Sequence, residues 1–277
     1  YVLLKHSLSG EGGSNMVLSL DGKNEKVFKL LSRSIKINWL RYLLDIVITI
    51  LVVIYVKVKY GAELIYIGLD PLNAVSGVFL KFVGVVKKTV FFSVDYTTNR
   101  FENKILNNIY QYLDKFCSNK SNEVWNVSTR ILEMRLKMGI DKNRLFFIPN
   151  TPAEEFRLQR KRYSNKYHIV SLGPLSGQLD YDGLFYTLVD LKKVYPDILL
   201  KIIGTGCYEE SYKKLISDLG ISDNVLFKGL LSHPEAMKEI ASSGVGLALY
   251  NGSWSFNYYG DSMKCREYLF YGLPVLT

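Results

Sequence analysis

Two glycines stand directly after one of the most apolar runs of the sequence. Residues 199–206 (LLKIIGTG) predict a buried strand that ends at Gly204 and Gly206. Parallel α/β sheets bind ligands at the carboxyl ends of their strands, and glycines there let the backbone come close to a ligand. The pattern therefore indicates a binding site at this edge, and a plain tight turn is the open alternative.

Polar side chains follow two strands predicted in the first half of the chain. Asp70 and Asn73 come after one strand and Asp95 after the other, which places all three at the carboxyl edge of that sheet. Asp95 is the best-placed general base if a substrate hydroxyl group must lose its proton, and a capping or turn aspartate is the open alternative. Gly12 and Gly13 lie in a GEGGS segment that is either a flexible substrate-binding loop or a turn.

No set of residues has the spacing of metal ligands. Asp180 and Asp182 flank one residue, as in the Asp-x-Asp motifs that hold a divalent cation, but they open an apolar-periodic helix, where aspartate is favoured as an N-cap. The three histidines are scattered, so we expect structural roles for them, and the three cysteines have no close pairing. Neither a nucleophile elbow nor a phosphate-binding loop occurs. We therefore expect no metal and no cofactor.

The elements that position these residues alternate between short apolar runs and longer segments of helical period. Such alternation is typical of parallel βαβ units, and it predicts a doubly wound α/β fold. The predicted strands are residues 63–68, 89–94, 124–127, 145–148, 168–172, 199–203, 225–228 and 245–250.

A polar, charged stretch without apolar periodicity divides the chain. We predict a Rossmann-like domain over residues 1–150, a linker over 151–166, and a second Rossmann-like domain over 167–277. The first domain opens on what looks like a later strand and loop, so its first strand is expected to be missing, and the second domain looks truncated.

Positive charge is concentrated before this stretch. Residues 1–150 hold 21 Lys and Arg against 12 Asp and Glu, and the remaining residues hold 14 of each. A basic first half favours an anionic partner such as a membrane surface, and a solvated lysine-rich face is the open alternative. The uncharged run 46–56 is 11 residues long, short of the roughly 20 that span a bilayer, so a buried or half-buried helix is expected.

The order of motifs over residues 168–277 resembles the donor domain of family-4 glycosyltransferases of GT-B fold. The order is a strand with Gly-x-Gly, a strand closing in Phe-x-Gly at Gly229, then Lys-x-x-Glu-Tyr-Leu and Gly-x-Pro-Val. Residues 64–82, 89–96 and 143–150 resemble the acceptor domain more weakly. The resemblance implies two Rossmann-like domains whose parallel sheets face a cleft.

The resemblance also implies roles for single residues. Glu267 takes the position of the second glutamate of the family's paired-glutamate motif, which accepts hydrogen bonds from the ribose of the donor nucleotide. Lys264, one turn earlier, would neutralise the diphosphate, and the helix N-terminus at Asp261 to Met263 would bind an anion. A solvated amphipathic helix is the open alternative. The implied donor-binding residues are Glu267, Lys264, Ser262, Met263, Arg266, Gly204, Gly206, Gly173, Gly229 and Tyr259.

Three positions depart from the family's pattern. Tyr259 stands where the first glutamate belongs, and Asp261 is the nearest carboxylate that could replace it as a catalytic group. Pro174 and Asp182 stand where an arginine and a lysine hold the diphosphate. Phosphate contacts must then come from Lys264, Arg266 or backbone amides of residues 173–177, or the protein has lost activity.

These observations predict a retaining, metal-independent glycosyltransferase. It would move a sugar from a nucleotide-sugar donor to a hydroxyl of a glycan or lipid-linked acceptor, in the cytoplasm or at the inner face of the membrane. An inactive nucleotide-sugar-binding protein of the same fold is the alternative, motivated by the three departures. A nucleic-acid-binding module is disfavoured, because the basic residues are dispersed rather than clustered in a recognisable motif.

Overall fold

The computed structural model describes residues 1–6, 14–19, 25–30, 38–153, 165–252 and 255–277. The chain divides into two compact units, Tyr1–Ile148 and Pro149–Thr277. Of the predicted linker 151–166, only its first three and last two residues are among those described. Both units have a parallel sheet flanked by helices, which confirms the predicted fold class.

The first unit begins with a small antiparallel sheet that the sequence did not predict. Strands β1 (Val2–Lys5), β2 (Asn15–Leu18) and β3 (Lys26–Lys29) pair in that order, with β2 in the middle. The opening residues were expected to belong to the Rossmann-like sheet, and that expectation is wrong: β1 pairs antiparallel with β2. The sequence of such a short strand does not show which sheet it joins, because its pairing partner depends on the path of the chain between the strands.

A 23-residue helix, α1 (Asn38–Tyr60), leads into the parallel sheet. One face packs inward, where Thr49 Oγ1 lies 2.8 Å from Nε2 of His6 and Asp45 lies 3.2 Å from Nδ1 of the same ring. The helix is therefore half-buried, as its composition predicts. In the described part of the chain, no helix combines the length and apolar character that crossing a bilayer requires. Its exposed apolar side chains form one stripe: Leu40, Leu43, Val47, Leu51, Ile54, Tyr55 and Val58.

The parallel sheet of the first unit has the strand order β4-β5-β6-β7. Each strand is followed by a polar loop or a helix, and the helix N-termini are fixed by side chains: Asn103 caps α3 and Ser128 caps α4. The elements are β4 (Ile65–Leu69), α2 (Asp70–Phe82), β5 (Lys88–Ser93), α3 (Lys104–Lys120), β6 (Glu123–Asn126), α4 (Thr129–Lys137) and β7 (Leu145–Phe147).

A fully buried ion pair joins helices α3 and α4 within this unit. Arg135 on α4 donates both terminal nitrogens to the carboxylate of Asp114 on α3, and Nη2 also donates to Ser93 Oγ at 3.0 Å. The guanidinium lies between the rings of Phe91 and Tyr96, 5.4 and 5.2 Å from their centroids. Because neither charge reaches water, each depends on the other.

The second unit has the strand order β10-β9-β8-β11-β12, with every pair parallel. Asp180 caps α5, since its Oδ1 accepts from the amide of Gly183 at 3.0 Å, which is the role that its position before a helix favours. The elements are β8 (His168–Leu172), α5 (Tyr181–Val194), β9 (Leu199–Ile203), α6 (Glu209–Asp218), β10 (Val225–Gly229), α7 (His233–Ala241), β11 (Val245–Leu247), α8 (Ser255–Tyr259), α9 (Met263–Phe270) and β12 (Val275–Leu276).

Two apolar cores lie on opposite faces of this sheet. Helices α5 and α6 cover one face, with Phe185, Leu188 and Ile216 in its core. Helices α7 and α9 cover the other, with Ile240 and Tyr268 in its core. Right-handed crossovers produce this arrangement, because the chain moves outward from β8 through β9 to β10 and then returns to β11. The helix N-termini that follow β8, β9, β10 and β11 therefore share the carboxyl edge.

The buried pair of the first unit yields a stability prediction. Arg135→Met leaves the Asp114 carboxylate buried without a partner, so we expect the first unit to lose about 3 to 5 kcal/mol of unfolding free energy. The double variant Asp114→Leu/Arg135→Met removes both charges and should recover most of that loss. Urea denaturation followed by circular dichroism measures both changes.

The matched control is Lys193→Met, which removes one partner of the exposed pair Lys193–Asp190 in the second unit. It should change stability by less than about 1 kcal/mol, since exposed ion pairs contribute little. An Arg135→Met loss as small as that of Lys193→Met would contradict the account.

Candidate functional site

Helix α9 begins at the carboxyl edge of the second sheet, and a network of hydroxyl groups fixes its start. Ser262 is the N-cap: its Oγ accepts from the amide of Cys265 at 3.3 Å. The same Oγ lies 2.5 Å from the hydroxyl of Tyr250, which follows β11. The helix N-terminus predicted at Asp261 to Met263 is therefore present, and Met263 is its first residue, with an exposed side chain.

Lys264 is a half-buried cation without an ionic partner. In the part of the chain that the structure describes, its ammonium group makes no hydrogen bond and no ion pair, and it lies 5.0 Å from the centroid of the Tyr250 ring. A Cβ atom at Gly173 would stand 2.6 Å from Nζ, so the glycine leaves the space that the ammonium occupies. Burial lowers the pKa of Lys264 to about 8.

Glu267 lies one turn further along α9 and is buried, with 4% of its surface exposed. Its Oε1 is 2.8 Å from Nε2 of His233, the first residue of α7. His233 was expected to be structural, and its place beside Glu267 was not predicted. The available signal was its position, just after the Phe-x-Gly strand β10 and therefore at the carboxyl edge. We call Lys264, Glu267 and His233 the α9 site.

Asp261 and Arg266 are bound to each other beside this site. Arg266 donates Nε and Nη2 to Asp261 Oδ1 at 3.1 and 3.0 Å, and the amide of Asn150 donates to Oδ2 at 2.8 Å. The Asn150 side chain also donates to the Asp261 carbonyl at 3.0 Å. The carboxylate of Asp261 thus neutralises Arg266, and the predicted catalytic role of Asp261 stays a prediction.

The predicted glycines pack loops closely at the edge of the sheet. At Gly204 an added Cβ would lie 2.1 Å from the carbonyl oxygen of Gly173, and at Gly206 it would lie 2.2 Å from that of Leu175. These glycines therefore bring the β9 loop against the β8 loop. Gly229 has a φ of 64° and open space beside its Cα, at the end of β10. Contact of these residues with a ligand stays a prediction.

A cavity of about 450 Å³ lies at the N-terminal ends of α5 and α6, and Tyr250 also contributes to its lining. Asp180, Asp182 and Tyr208 contribute to its lining. Its carboxylates would repel a phosphate, so an anionic ligand is better placed at Lys264 than here. Tyr259 ends the short helix α8, where its ring packs edge-on against Tyr258 at 5.0 Å.

The first unit brings Asp70 and Asp95 together around an arginine that the sequence analysis missed. Arg100 donates Nη1 to Asp95 Oδ2 at 2.7 Å, and its Nη2 lies 4.0 Å from Asp70 Oδ2. Tyr110 donates its hydroxyl to Asp70 Oδ2 at 3.0 Å, and burial raises the pKa of Asp70. Asp95 is therefore held in an ion pair, and its role as general base stays a prediction.

Asp70 also has a left-handed backbone conformation, with a φ of 69°, which residues other than glycine rarely adopt. Its Oδ1 accepts from the amide of Leu72 at 3.2 Å. Asn73 donates its side chain to the carbonyl of Leu69 at 2.8 Å. Both residues thus stabilise the turn from β4 into α2. Gly12 and Gly13 lie outside the described residues.

The second unit matches a known family. Residues 152–277 match the family model described as "Glycosyl transferases group 1". A "GDP-mannose-dependent alpha-(1-6)-phosphatidylinositol monomannoside mannosyltransferase" from Mycolicibacterium smegmatis is 32% identical over 92 residues, which is 33% of this chain and 24% of that protein. The chain therefore spans about a quarter of this curated relative's length.

Solved structures resemble both units of the chain. HepE from Anabaena, crystallised with UDP, has a TM-score of 0.61 at 17% identity and covers 82% of this chain, which corresponds to 62% of that one. A mutant of S. aureus TarM, crystallised with fondaparinux, α-GlcNAc-glycerol and UDP, has a TM-score of 0.55 at 15% identity, over 99% of this chain and 50% of that one. Residues 152–277 thus match the glycosyl transferases group 1 family, and the chain has the fold of the GT-B glycosyltransferases.

Proposed function

We propose that the protein is a retaining, metal-independent glycosyltransferase of the family-4 type, which moves a sugar from a nucleotide-sugar donor to a hydroxyl acceptor. The observation that carries the proposal is Lys264, a half-buried cation without an ionic partner among the described residues, one turn from the buried carboxylate of Glu267. Both lie at the sheet edge where α/β folds bind ligands, within the residues that match the glycosyl transferases group 1 model.

Lys264 would bind the diphosphate of the donor. A cation held away from water costs free energy unless an anion accompanies it, and the lowered pKa of Lys264 reflects that cost. Arg266 is less available because Asp261 binds its guanidinium. Pro174 and Asp182 provide no cation, so the role of the family's arginine and lysine falls to Lys264.

The same contact would assist the reaction. When the bond between the sugar and the diphosphate breaks, negative charge grows on the departing phosphate oxygen, and a fixed cation stabilises that charge. Lys264 would do so without a metal ion, which motivates the metal-independent part of the proposal. Asp95 would accept the proton of the acceptor hydroxyl, once its carboxylate is released from Arg100.

The second candidate function is that of a nucleotide-sugar-binding protein without catalytic turnover, and two observations favour it. Tyr259 stands in α8 where the resemblance implies a glutamate, and Asp261 is already bound to Arg266 and Asn150. A protein of this kind would bind a nucleotide-sugar without transferring the sugar. If calorimetry detects binding of UDP- or GDP-sugars and neither hydrolysis nor sugar transfer occurs, this second candidate is supported. Detectable hydrolysis or transfer excludes it.

We further propose a lipid-linked acceptor at an anionic membrane surface on the cytoplasmic side. The first unit holds 21 basic and 12 acidic residues, an excess that attracts anionic lipid headgroups. The M. smegmatis relative is named for a phosphatidylinositol monomannoside, which is a glycolipid acceptor. Lys57 and Lys59 lie at the end of α1, beside its exposed apolar stripe, and are suited to the interface.

The pKa of Lys264 predicts how nucleotide binding depends on pH. Below about pH 8 the lysine is charged in the free protein, and above it the charge is lost. Affinity for UDP or GDP should therefore be constant between pH 6.5 and 7.5 and fall by up to about tenfold per unit above pH 8. Calorimetric titrations at pH 7, 8 and 9 measure this. Lys264→Arg keeps its charge, so its affinity should not change over the same range.

Substitutions at Lys264 and Glu267 should affect different parts of the nucleotide. Glu267→Gln weakens the ribose contacts by about 1 to 2 kcal/mol, roughly tenfold in affinity, for nucleoside and nucleoside diphosphate alike. Lys264→Ala should weaken the diphosphate more than the nucleoside, and more at low salt. The exposed Lys213, paired with Glu209 and Glu210, provides the control Lys213→Ala, which should change neither.

Melting temperatures should stay within a few degrees of the parent for all three variants. If Glu267→Gln and Lys264→Ala bind the nucleotide as tightly as Lys213→Ala, the proposed donor site is wrong.

Sedimentation with liposomes tests the membrane proposal. Binding should increase with the fraction of anionic lipid and decrease with salt. Lys57→Glu/Lys59→Glu should weaken it by about 2 kcal/mol or more, since each basic residue near the surface contributes about 1 kcal/mol. The control Lys192→Glu/Lys193→Glu makes the same charge change in the second unit. Equal effects of the two pairs, or binding that ignores lipid charge, would contradict the proposal.

A further inference from the structure

His233 approaches Glu267 from a different helix, and the resemblance assigns it no role. We propose that His233 is a positioning residue that holds the Glu267 carboxylate in the orientation that reads the ribose hydroxyls of the donor nucleotide. The inference rests on the proposed function of the α9 site. His233 is then a further residue of the α9 site, and its hydrogen bond to Glu267 orients the carboxylate.

The local sequence fixes His233 at the start of α7. Ser232 and Glu235 form a capping box: the Glu235 carboxylate accepts from the Ser232 amide at 3.0 Å and from its hydroxyl at 2.6 Å. Pro234 follows at a position where a helix needs no amide hydrogen. His233 is therefore the first helical residue, and its ring extends from a well-defined helix end toward α9.

The hydrogen bond between the two side chains has one chemically sensible direction. An ionised carboxylate only accepts, so Nε2 of His233 carries the proton and donates it to Oε1 of Glu267 over 2.8 Å. Glu267 is buried while the side chain of His233 is 44% exposed, so the histidine lies on the solvent side of the pair. A ligand that reaches Glu267 from solvent therefore passes next to His233.

The second oxygen of Glu267 remains available. Oε2 accepts no hydrogen bond from any described residue. One oxygen is thus held by the protein and the other is presented to a ligand. Vicinal hydroxyls of a ribose are donors of the right kind for that oxygen.

The charged groups around the pair favour this arrangement. Lys264 attracts the carboxylate from one turn away on α9, and Glu235 on α7 is engaged with Ser232. Without His233, Glu267 would lose the donor that a described side chain provides and would be free to change rotamer toward Lys264. The ribose contact would suffer, and part of the positive charge that binds the diphosphate would be neutralised.

The test measures whether His233 affects recognition of the ribose. Calorimetry is done on the full chain with UDP and GDP and with their 2′,3′-dideoxy analogues. The parent should bind a ribonucleotide about tenfold more tightly than its dideoxy analogue. His233→Ala should reduce that ratio to about two, because the misplaced carboxylate no longer distinguishes them. His233→Gln retains an N–H donor and should restore the ratio to within about threefold of the parent.

His168 provides the matched control. It starts β8, at the amino edge of the same sheet, and its Nε2 lies 3.0 Å from Asn165 Nδ2. His168→Gln should leave the ratio unchanged. If His233→Ala fails to fold, His233→Asn replaces it, because its shorter side chain keeps an amide but does not reach Glu267.

The outcomes separate the two levels of the proposal. A parent that binds neither UDP nor GDP overturns the proposed function, and this inference falls with it. A parent that discriminates ribose, together with an unchanged ratio in His233→Ala, overturns the inference alone. Equal weakening of ribonucleotide and dideoxy analogue in His233→Ala also overturns it, because a histidine that only supports the fold would have that effect.

Discussion

The position of Lys264, which has no counter-ion among the described residues, is the constraint on which the carboxyl edge of the second unit's sheet depends. Its ammonium group lies between the Tyr250 ring and the backbone of Gly173, which has no side chain to compete for the space. Gly204 likewise has no room for a side chain, because the carbonyl of Gly173 occupies the space that a Cβ atom would need. The close packing of the β8 and β9 loops is therefore part of what keeps the lysine away from water.

Within the part of the chain that the structure describes, the neighbouring charges leave this lysine unpaired. Asp261 is the nearest acidic residue before it in sequence, but Arg266 and Asn150 bind its carboxylate. Glu267 lies one turn after it, and His233 binds one of its oxygens. These two carboxylates therefore each have another partner. A half-buried lysine in these surroundings gains more from an incoming anion than an exposed, paired lysine such as Lys213.

The sequence predicted most of the parallel fold but only part of the candidate site. Strands β8 and β9 occur at their predicted residues, and helix α5 begins after Asp180 as predicted, because apolar period and a capping aspartate are local signals. Lys264 and Glu267 were singled out because both lie in the short Lys-x-x-Glu-Tyr-Leu motif on which the family resemblance depends. His233 was missed because 34 residues separate it from Glu267, and only the crossover from β10 through α7 brings the two together. Arg100, which bridges Asp70 and Asp95, was also missed: it is close to Asp95 in sequence, but only the fold brings it to Asp70.

Each unit contains a basic side chain that is shielded from water. Arg135 is paired with a carboxylate, whereas Lys264 has no ionic partner among the described residues, and this difference distinguishes a residue that stabilises the fold from one suited to bind a ligand. Arg135 in the first unit is fully buried, and its terminal nitrogens are used by Asp114 and Ser93, so a ligand could gain little by approaching it. Burial of Lys264 in the second unit costs free energy that no described hydrogen bond or ion pair offsets, and its pKa is lowered accordingly. Evolution tolerates such a cost at positions where a bound ligand recovers it, and perturbed groups of this kind concentrate at functional sites. By this reasoning Arg135 belongs to the core and Lys264 to the proposed donor site, although both are basic residues on helices that flank a parallel sheet.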